Sequence, residues 1–469
     1  MIRDDLIVEE DLHPLDKSQD DDQDSPSLKE VITNKSFMLV FSGHLSELFG
    51  ASAVAIALMF LLYSLTENAA VIGLFQIVTM LPAIFLAPFA GVLVDRTDQR
   101  KIMLFSICVR LATAGTLALI YIFRNSIQST LFLILLFVVF TLRVSIWPFF
   151  SPAKSAYTKL IIPKKNLLKA NSFSSAALKV ASVIGPILAG ALIAIDYTIG
   201  FVLAIATSSI SIIMFTILVF KGQKPPSNGN TMEEFRNSKS KFRIVVEDFK
   251  IGIGAIKESP KIAYIIIILA FVSFSYAGID IMWPIILQSP TEMNLNSTWY
   301  GAMESVISGV AILTGLIVMA FKRINRKVVL LTGIQLIDAI AIILMGFLRN
   351  EWLTVFFVMV PFGLVDGIFS ITFETLVQEN AEYEKQGRVF SVEYFLSSLT
   401  CTIGLTVITL ITLFIDGIPP GLFLYITGGF EVIVLLVGFF VLIKRKMINS
   451  DYGDSIKEIH PQKPVKIIE

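Results

Sequence analysis

The chain has 469 residues, 55% of them apolar and only 16% charged, against the roughly 25% charged residues usual in soluble domains. With a mean hydropathy of +0.75, this excludes the multi-domain soluble architectures that length alone would allow. Formal net charge is zero, so charge is informative here through where it falls.

Residues 1–36 hold eleven acids against four bases, Arg3, Lys17, Lys29 and Lys35. They lack the basic start and early apolar core of a secretory signal, and they predict a disordered acidic tail. Apolar runs then predict twelve helical spans, near 37–62, 69–93, 102–122, 130–150, 168–194, 197–220, 262–288, 299–321, 328–347, 352–376, 389–415 and 421–443. Each supplies the roughly 20 residues that cross a bilayer core as a helix. The runs are too long, and too little alternating, for strands of a membrane barrel. The expected fold class is therefore an all-α membrane protein with twelve transmembrane helices.

An even number of spans puts both termini on one side. With the termini cytoplasmic, cytoplasmic segments hold 33 of the 38 Lys and Arg residues, and the outer loops hold only Arg124 and Arg349. That asymmetry predicts a multi-pass protein of the cell membrane with both ends inside. The long loop 221–260 separates a first six-helix bundle, 37–220, from a second, 261–443, which leads into a tail at 444–469. The loop opens polar (KGQKPPSNGN) and ends FRIVVEDFKIGIGAIKESPK, with Ile244, Phe249, Ile253 and Ile256 at nearly helical spacing. This predicts an amphipathic helix on the inner membrane surface. Cys108 and Cys401 lie in separate apolar runs and are expected to be free, buried thiols. No metal-ligand cluster, P-loop or nucleophile motif is present, so no metal, cofactor, enzymatic activity or nucleic-acid partner is expected.

Ionisable groups inside a bilayer cost at least ~2.5–3.5 kcal/mol each and ask for an explanation. The first half places Glu47, Arg110, Arg143 and Lys179 within spans. The second half places only acids there: Asp280, Glu304, Asp338, Asp366 and Glu431. Pairs that form in one conformation and break in another would couple protonation to rocking of the halves. Any of these residues could instead serve packing alone. Lys179 and Glu304, on spans 5 and 8, are a candidate interface pair at unequal depths. In ASVIGPILAG of span 5, Gly185, Pro186 and Gly190 form a candidate hinge that allows close packing and a bend.

Between spans 2 and 3 lies GVLVDRTDQRK, running from Gly91 to Lys101. The stretch resembles the signature loop of the major facilitator superfamily. Gly91, Leu93, Asp95, Arg96 and Arg100 stand at its pattern positions; Asp98 replaces its second glycine and Gln99 its next basic residue. The form with Asp there is similar to the macrolide-efflux and siderophore-exporter branch. FKRINRKVVL, after span 8, echoes this loop at an offset of 226, with Lys322, Arg326 and Lys327 overlying Arg96, Arg100 and Lys101, a weak internal repeat. ASVIGPILAG resembles the antiporter signature that accompanies exporters. The resemblance implies two pseudo-repeated bundles whose spans 1, 4, 7 and 10 line a cavity. Glu47, Arg143, Asp280 and Asp366 become proton-coupling or cavity candidates, and Arg110, Asp338 and Glu431 fall on peripheral spans with structural roles. Gly91, Asp95, Arg96, Arg100 and Lys101 become a gating loop that locks the cytoplasmic side. The function implied is proton-coupled export of a hydrophobic or amphipathic small molecule, a drug or secreted metabolite, by a monomer. The alternatives are uptake or flipping of a lipid-like or nutrient substrate, and a non-transporting membrane sensor. The expected partners are the substrate, protons and the lipid bilayer.

Overall fold

A computed structural model describes residues 27–163, 166–224, 241–320, 326–348, 350–415 and 417–444, apart from the side chains at 83, 84, 87–89, 91, 92, 95, 96, 168, 241–246, 248, 319, 320, 383 and 384. The described residues are nearly all helical. The first half comprises α1 (Leu28–Thr33), α2 (Lys35–Thr66), α3 (Ala69–Arg96), α4 (Gln99–Ile122), α5 (Ser129–Ser145), α6 (Trp147–Ile161), α7 (Leu167–Ile193) and α8 (Tyr197–Lys221). The second comprises α9 (Lys241–Glu258), α10 (Pro260–Gln288), α11 (Ser297–Ala320), α12 (Lys327–Phe347), α13 (Glu351–Thr354), α14 (Val360–Asn380), α15 (Tyr383–Phe414) and α16 (Pro420–Lys444). Among the described residues, eleven helical segments are long and apolar enough to cross a membrane. The 28-residue α3 is the twelfth, about 42 Å long at the helical rise.

Short polar residues set the helix starts. Asn34, Asn68, Asp98, Asp196 and Ser259 each accept a hydrogen bond from a backbone N–H in the first turn of the helix that follows, which satisfies donors the helix leaves open. Span 4 is two helices, α5 and α6, that meet at Ile146. Pro148 lacks an N–H and cannot continue the ladder of α5. Span 10 joins α13 to α14 through a π-helical stretch, Val355–Met359, just before Pro361, where the wider turn accommodates the missing donor.

The core divides by depth. At the end away from the termini it is continuous across both halves: Phe60, Tyr121 and Phe201 share one apolar cluster with Trp283, Ile286 and Leu405. At the termini-bearing end there are two separate clusters. One is confined to the first half, with Phe37, Met103, Tyr157 and Phe215. The other is confined to the second, with Ile265, Leu331, Val377 and Leu435. Among the described residues the bundle is thus sealed at one end and parted at the other. In the seal, α7 meets α11 backbone to backbone. A Cβ on Gly190 would strike the Ser297 carbonyl, and one on Gly301 would strike that of Pro186. The Gln288 amide donates to the Phe60 carbonyl at 3.1 Å, tying α10 to α2. On the other flank, Gly73 of α3 lets Thr409 of α15 approach.

Four sequence expectations change. Residues 28–33, expected inside a disordered tail, form α1. Ser27 caps it, and the Asn166 side chain holds it by accepting from Ser27 N at 2.8 Å and donating to Glu30 Oε2 at 2.6 Å; residues 1–26 lie outside the described residues. Span 4 runs on to Ile161 rather than ending near 150. The amphipathic helix α9 turns an apolar face to the protein, with Gly252 against the Arg388 carbonyl and Phe249 edge-on to Phe395 at 5.3 Å. Cys108 is exposed; Cys401 is buried, and both are free.

Candidate functional site

Glu47 is the centre of a buried charge cluster in the first half. Gly43 and Gly50, a turn below and above it on α2, admit α8: Ser211 donates to the Gly43 carbonyl at 2.8 Å, and a Cβ on Gly50 would collide with Thr207. This approach brings the Ser208 hydroxyl to donate to Glu47 Oε2 at 2.8 Å. Two guanidiniums take the other oxygen, Arg110 of α4 through Nε and Arg143 of α5 through Nη2 at 3.3 Å. Arg143 also donates through Nη1 to the Arg110 carbonyl, and the Arg110 guanidinium lies over the Trp147 ring, 5.5 Å from its centroid. Glu47 and Arg143 are 1% exposed and Arg110 5%. One carboxylate thus faces two guanidiniums, so positive charge exceeds negative in the cluster.

A turn closer to the termini, His44 packs between Trp147 and Phe150, with ring centroids 5.7 and 5.5 Å away. Its Nδ1 lies 3.2 Å from Lys154 Nζ. Its Nε2 is buried without a hydrogen-bond partner. His44 and Lys154 line a cavity of about 220 Å³ between α2, α6 and α7, with Phe41, Thr158, Asn171 and Ser174.

In the second half, Asp280 of α10 lies beside Cys401 of α15 and close enough to Glu304 of α11 for the charges to interact; Glu304 is hydrogen-bonded to Tyr300. Both acids border the seal, since the next residue, Ser305, donates to the Val183 carbonyl of α7. Tyr276 of α10 donates to Asp338 Oδ2 at 2.6 Å, and the charge of Asp366 on α14 reaches both residues. Asp366 is exposed, whereas Asp338 and Glu431 are 0% exposed.

Of the cavity candidates, Glu47 and Arg143 come together, while Asp280 and Asp366 occupy different acidic groups. Lys179 does not pair with Glu304. Its side chain is exposed, and the Ser305–Val183 contact sets Glu304 level with a part of α7 a turn further from the termini. Of the hinge residues, Gly190 lies in the helix–helix contact described above, Pro186 presents its carbonyl to Gly301, and Gly185 faces Ser52 and Phe49.

In the signature loop, Gly91, Asp95 and Arg96 lie outside the described side chains, as does Lys322 of its echo. Arg100 is buried and acts as a staple. It holds Asp98 through Nε at 3.0 Å and Nη2 at 2.7 Å, and through Nη1 it donates to the carbonyls of Val219 and Gly222 at the end of α8. Burial pushes the Asp98 carboxyl up, but the Arg100 hydrogen bonds and the charges of Arg100 and Lys101 outweigh it and hold the group below its ordinary value. Lys101 is exposed.

The family described as Major Facilitator Superfamily matches residues 39–405. The chain belongs to the major facilitator superfamily. Among relatives of this facilitator, Macrolide efflux protein A of Streptococcus pyogenes is 23% identical over 405 residues, 86% of this chain and 94% of the relative. Macrolide efflux protein A of Enterococcus faecalis is 24% identical over 329 residues, 69% and 96% of the two chains. Among solved structures, a bacterial homologue of the iron transporter ferroportin in an inward-facing state superposes with a TM-score of 0.66 at 14% identity, over 87% of this chain and 98% of that one. At that identity the likeness concerns the fold alone.

Three contributors went unrecognised as site residues in the sequence. Arg110 was assigned to a peripheral span, yet its guanidinium turns inward to Glu47. Ser208 belongs to a polar stripe, Thr207, Ser208 and Ser211, whose spacing on an otherwise greasy helix was the available signal. Tyr276 is one aromatic among many in the spans, and its contact with Asp338 sets it apart.

Proposed function

We propose that this facilitator exports a hydrophobic or amphipathic small molecule across the cell membrane by alternating access, driven by protons, with both termini in the cytoplasm. The observation that carries the reading is the unequal charge of the two halves. The first buries two guanidiniums on one carboxylate. The second holds five intramembrane acids, Asp280, Glu304, Asp338, Asp366 and Glu431, and no ion pair is formed by any of them among the described residues. Carboxyls without counter-ions can take up and release protons, so proton binding would be a property of the second half. The two macrolide-efflux relatives support export as the direction and a bulky lipophilic compound as the substrate class.

In this reading the parted, termini-bearing end is open to the cytoplasm. Substrate enters between the halves from there, and rocking about the seal re-exposes it outside. Glu47, with Arg110 and Arg143, holds α2, α4, α5 and α8 together as one body. Asp280 and Glu304, beside the seal, are placed to sense its opening. Asp366 is the water-facing acid. The signature loop, through Asp95, Arg96 and Arg100, would brace the cytoplasmic side when it closes.

The test is flux in everted membrane vesicles incubated in a radiolabelled macrolide, with and without an imposed proton gradient. Uptake into the everted lumen, accelerated at least severalfold when the lumen is acid, is expected. Equal movement in both directions, or indifference to the gradient, would refute proton-driven export.

A further inference from the structure

Glu431 of α16 has both carboxyl oxygens buried without a hydrogen-bond partner, and Asp338 of α12 has one oxygen, Oδ1, in the same condition. Both side chains are 0% exposed. They lie close enough for their charges to act on each other. Their helices pack tightly here, with Gly428 of α16 against the carbonyl of Ala339. The groups facing them are Tyr276 from α10, which donates to Asp338 Oδ2, and Asp366 from α14; among the described residues no lysine, arginine or histidine acts on either acid. Gln335, a turn before Asp338 on α12, is buried with an unpartnered carbonyl oxygen of its own.

A carboxylate without donor or counter-ion in a low-dielectric interior is strongly disfavoured, and two such carboxylates near each other are more so. Protonation removes both penalties. We propose that Asp338 and Glu431 form the site in the second half that carries the transported proton, with Asp366 as its water-facing entrance and Tyr276 between them. The pair lies on spans 9 and 12, behind the helices expected to line the cavity, so proton and substrate would occupy separate places. Tyr276 and Asp366, on spans 7 and 10, connect the pair to the cavity. A proton arriving at Asp366 would pass to Asp338, whose Oδ2 is already held by the tyrosine hydroxyl. From there it would be shared with Glu431. Departure reverses the path, and no bond but O–H is made or broken.

This proposal rests on the proton-driven reading above, and two measurements separate the fates of the two. The first needs no transport: infrared difference spectra of the purified protein in lipid nanodiscs between acidic and alkaline buffer. A protonated-carboxyl band is expected that is lost in Glu431→Gln, shifted in Asp338→Asn and Tyr276→Phe, and retained in Asp366→Asn. The second is radiolabelled-macrolide flux in proteoliposomes. Glu431→Gln is expected to retain substrate exchange without a gradient and to lose its acceleration by one. Unchanged bands in both Glu431→Gln and Asp338→Asn would overturn the site. So would a band that appears only when sodium is removed, since the occupant would then be a metal cation. Bands lost as expected while wild-type flux ignores the gradient would overturn proton drive, and the carrier role of the pair with it, and leave export itself standing.

Discussion

Glu47 neutralises only one of the two guanidiniums it touches, and this imbalance dominates the energetics of the first half. Breaking a buried ion pair by removing one partner typically costs ~3–5 kcal/mol, because the remaining charge stays buried. Glu47→Gln is therefore expected to destabilise the protein by about that amount, read as a fall in the unfolding midpoint in detergent. Replacing the whole cluster (Glu47→Leu with Arg110→Met and Arg143→Met) is expected to recover most of that stability and to remain inactive in transport. A triple variant no more stable than Glu47→Gln would mean that hydrogen bonds, not uncompensated charge, set the cost. Asp98 offers a second residue-scale test. Its carboxyl is held below its ordinary value of 3.8 by Arg100 and Lys101, so its contribution is complete above that value and is lost as pH falls through the lower folded value. Asp98→Asn keeps a competent helix cap but removes the charge that Arg100 holds, so it is expected to lower stability at neutral pH and to flatten the acid limb of the stability–pH curve.

At the scale of helices, small residues decide which faces meet. Gly43 and Gly50 bring α8 onto α2, and Gly190 and Gly301 bring α7 onto α11. The second contact belongs to the seal between the halves, and under the proposed alternating access it would part when the carrier turns outward. Gly301→Val would push the two backbones apart without touching any charged group. The variant is expected to insert normally and to transport poorly. A cysteine placed in it at Asn296, at the sealed face, should label faster with a membrane-impermeant maleimide than the same cysteine in the parent. Equal labelling would show that the contact is not part of the seal.

The packing of the molecule as a whole differs between its ends. One continuous apolar cluster joins the halves far from the termini, and two independent clusters lie near them. Linking the halves across the seal should therefore arrest the cycle. With Cys108→Ser and Cys401→Ala as background, a short thiol cross-linker between Phe60→Cys and Gln288→Cys is expected to abolish flux, and a cleavable linker should restore it on reduction. Full flux in the linked protein would refute rocking about this end.

Local pattern was enough for much of this architecture. Span number follows from the run length a bilayer demands, and helix starts follow from short polar caps such as Asn34, Asn68 and Asp196. The surplus of acids in the second half is visible in composition alone. Partnership was not legible, because it depends on which face of a helix turns inward and at what depth, and those are set by contacts between residues far apart in the chain. Hence Arg110 turned out to be the partner of Glu47, and the apolar face of α9 was claimed by α15. What the sequence determined by itself was the number of crossings and the inventory of buried charge, since hydropathy and charge are properties of single residues. Which charges neutralise one another, which stay unpaired, and which end of the bundle is closed were decided by tertiary packing alone, because each depends on close approach between helices.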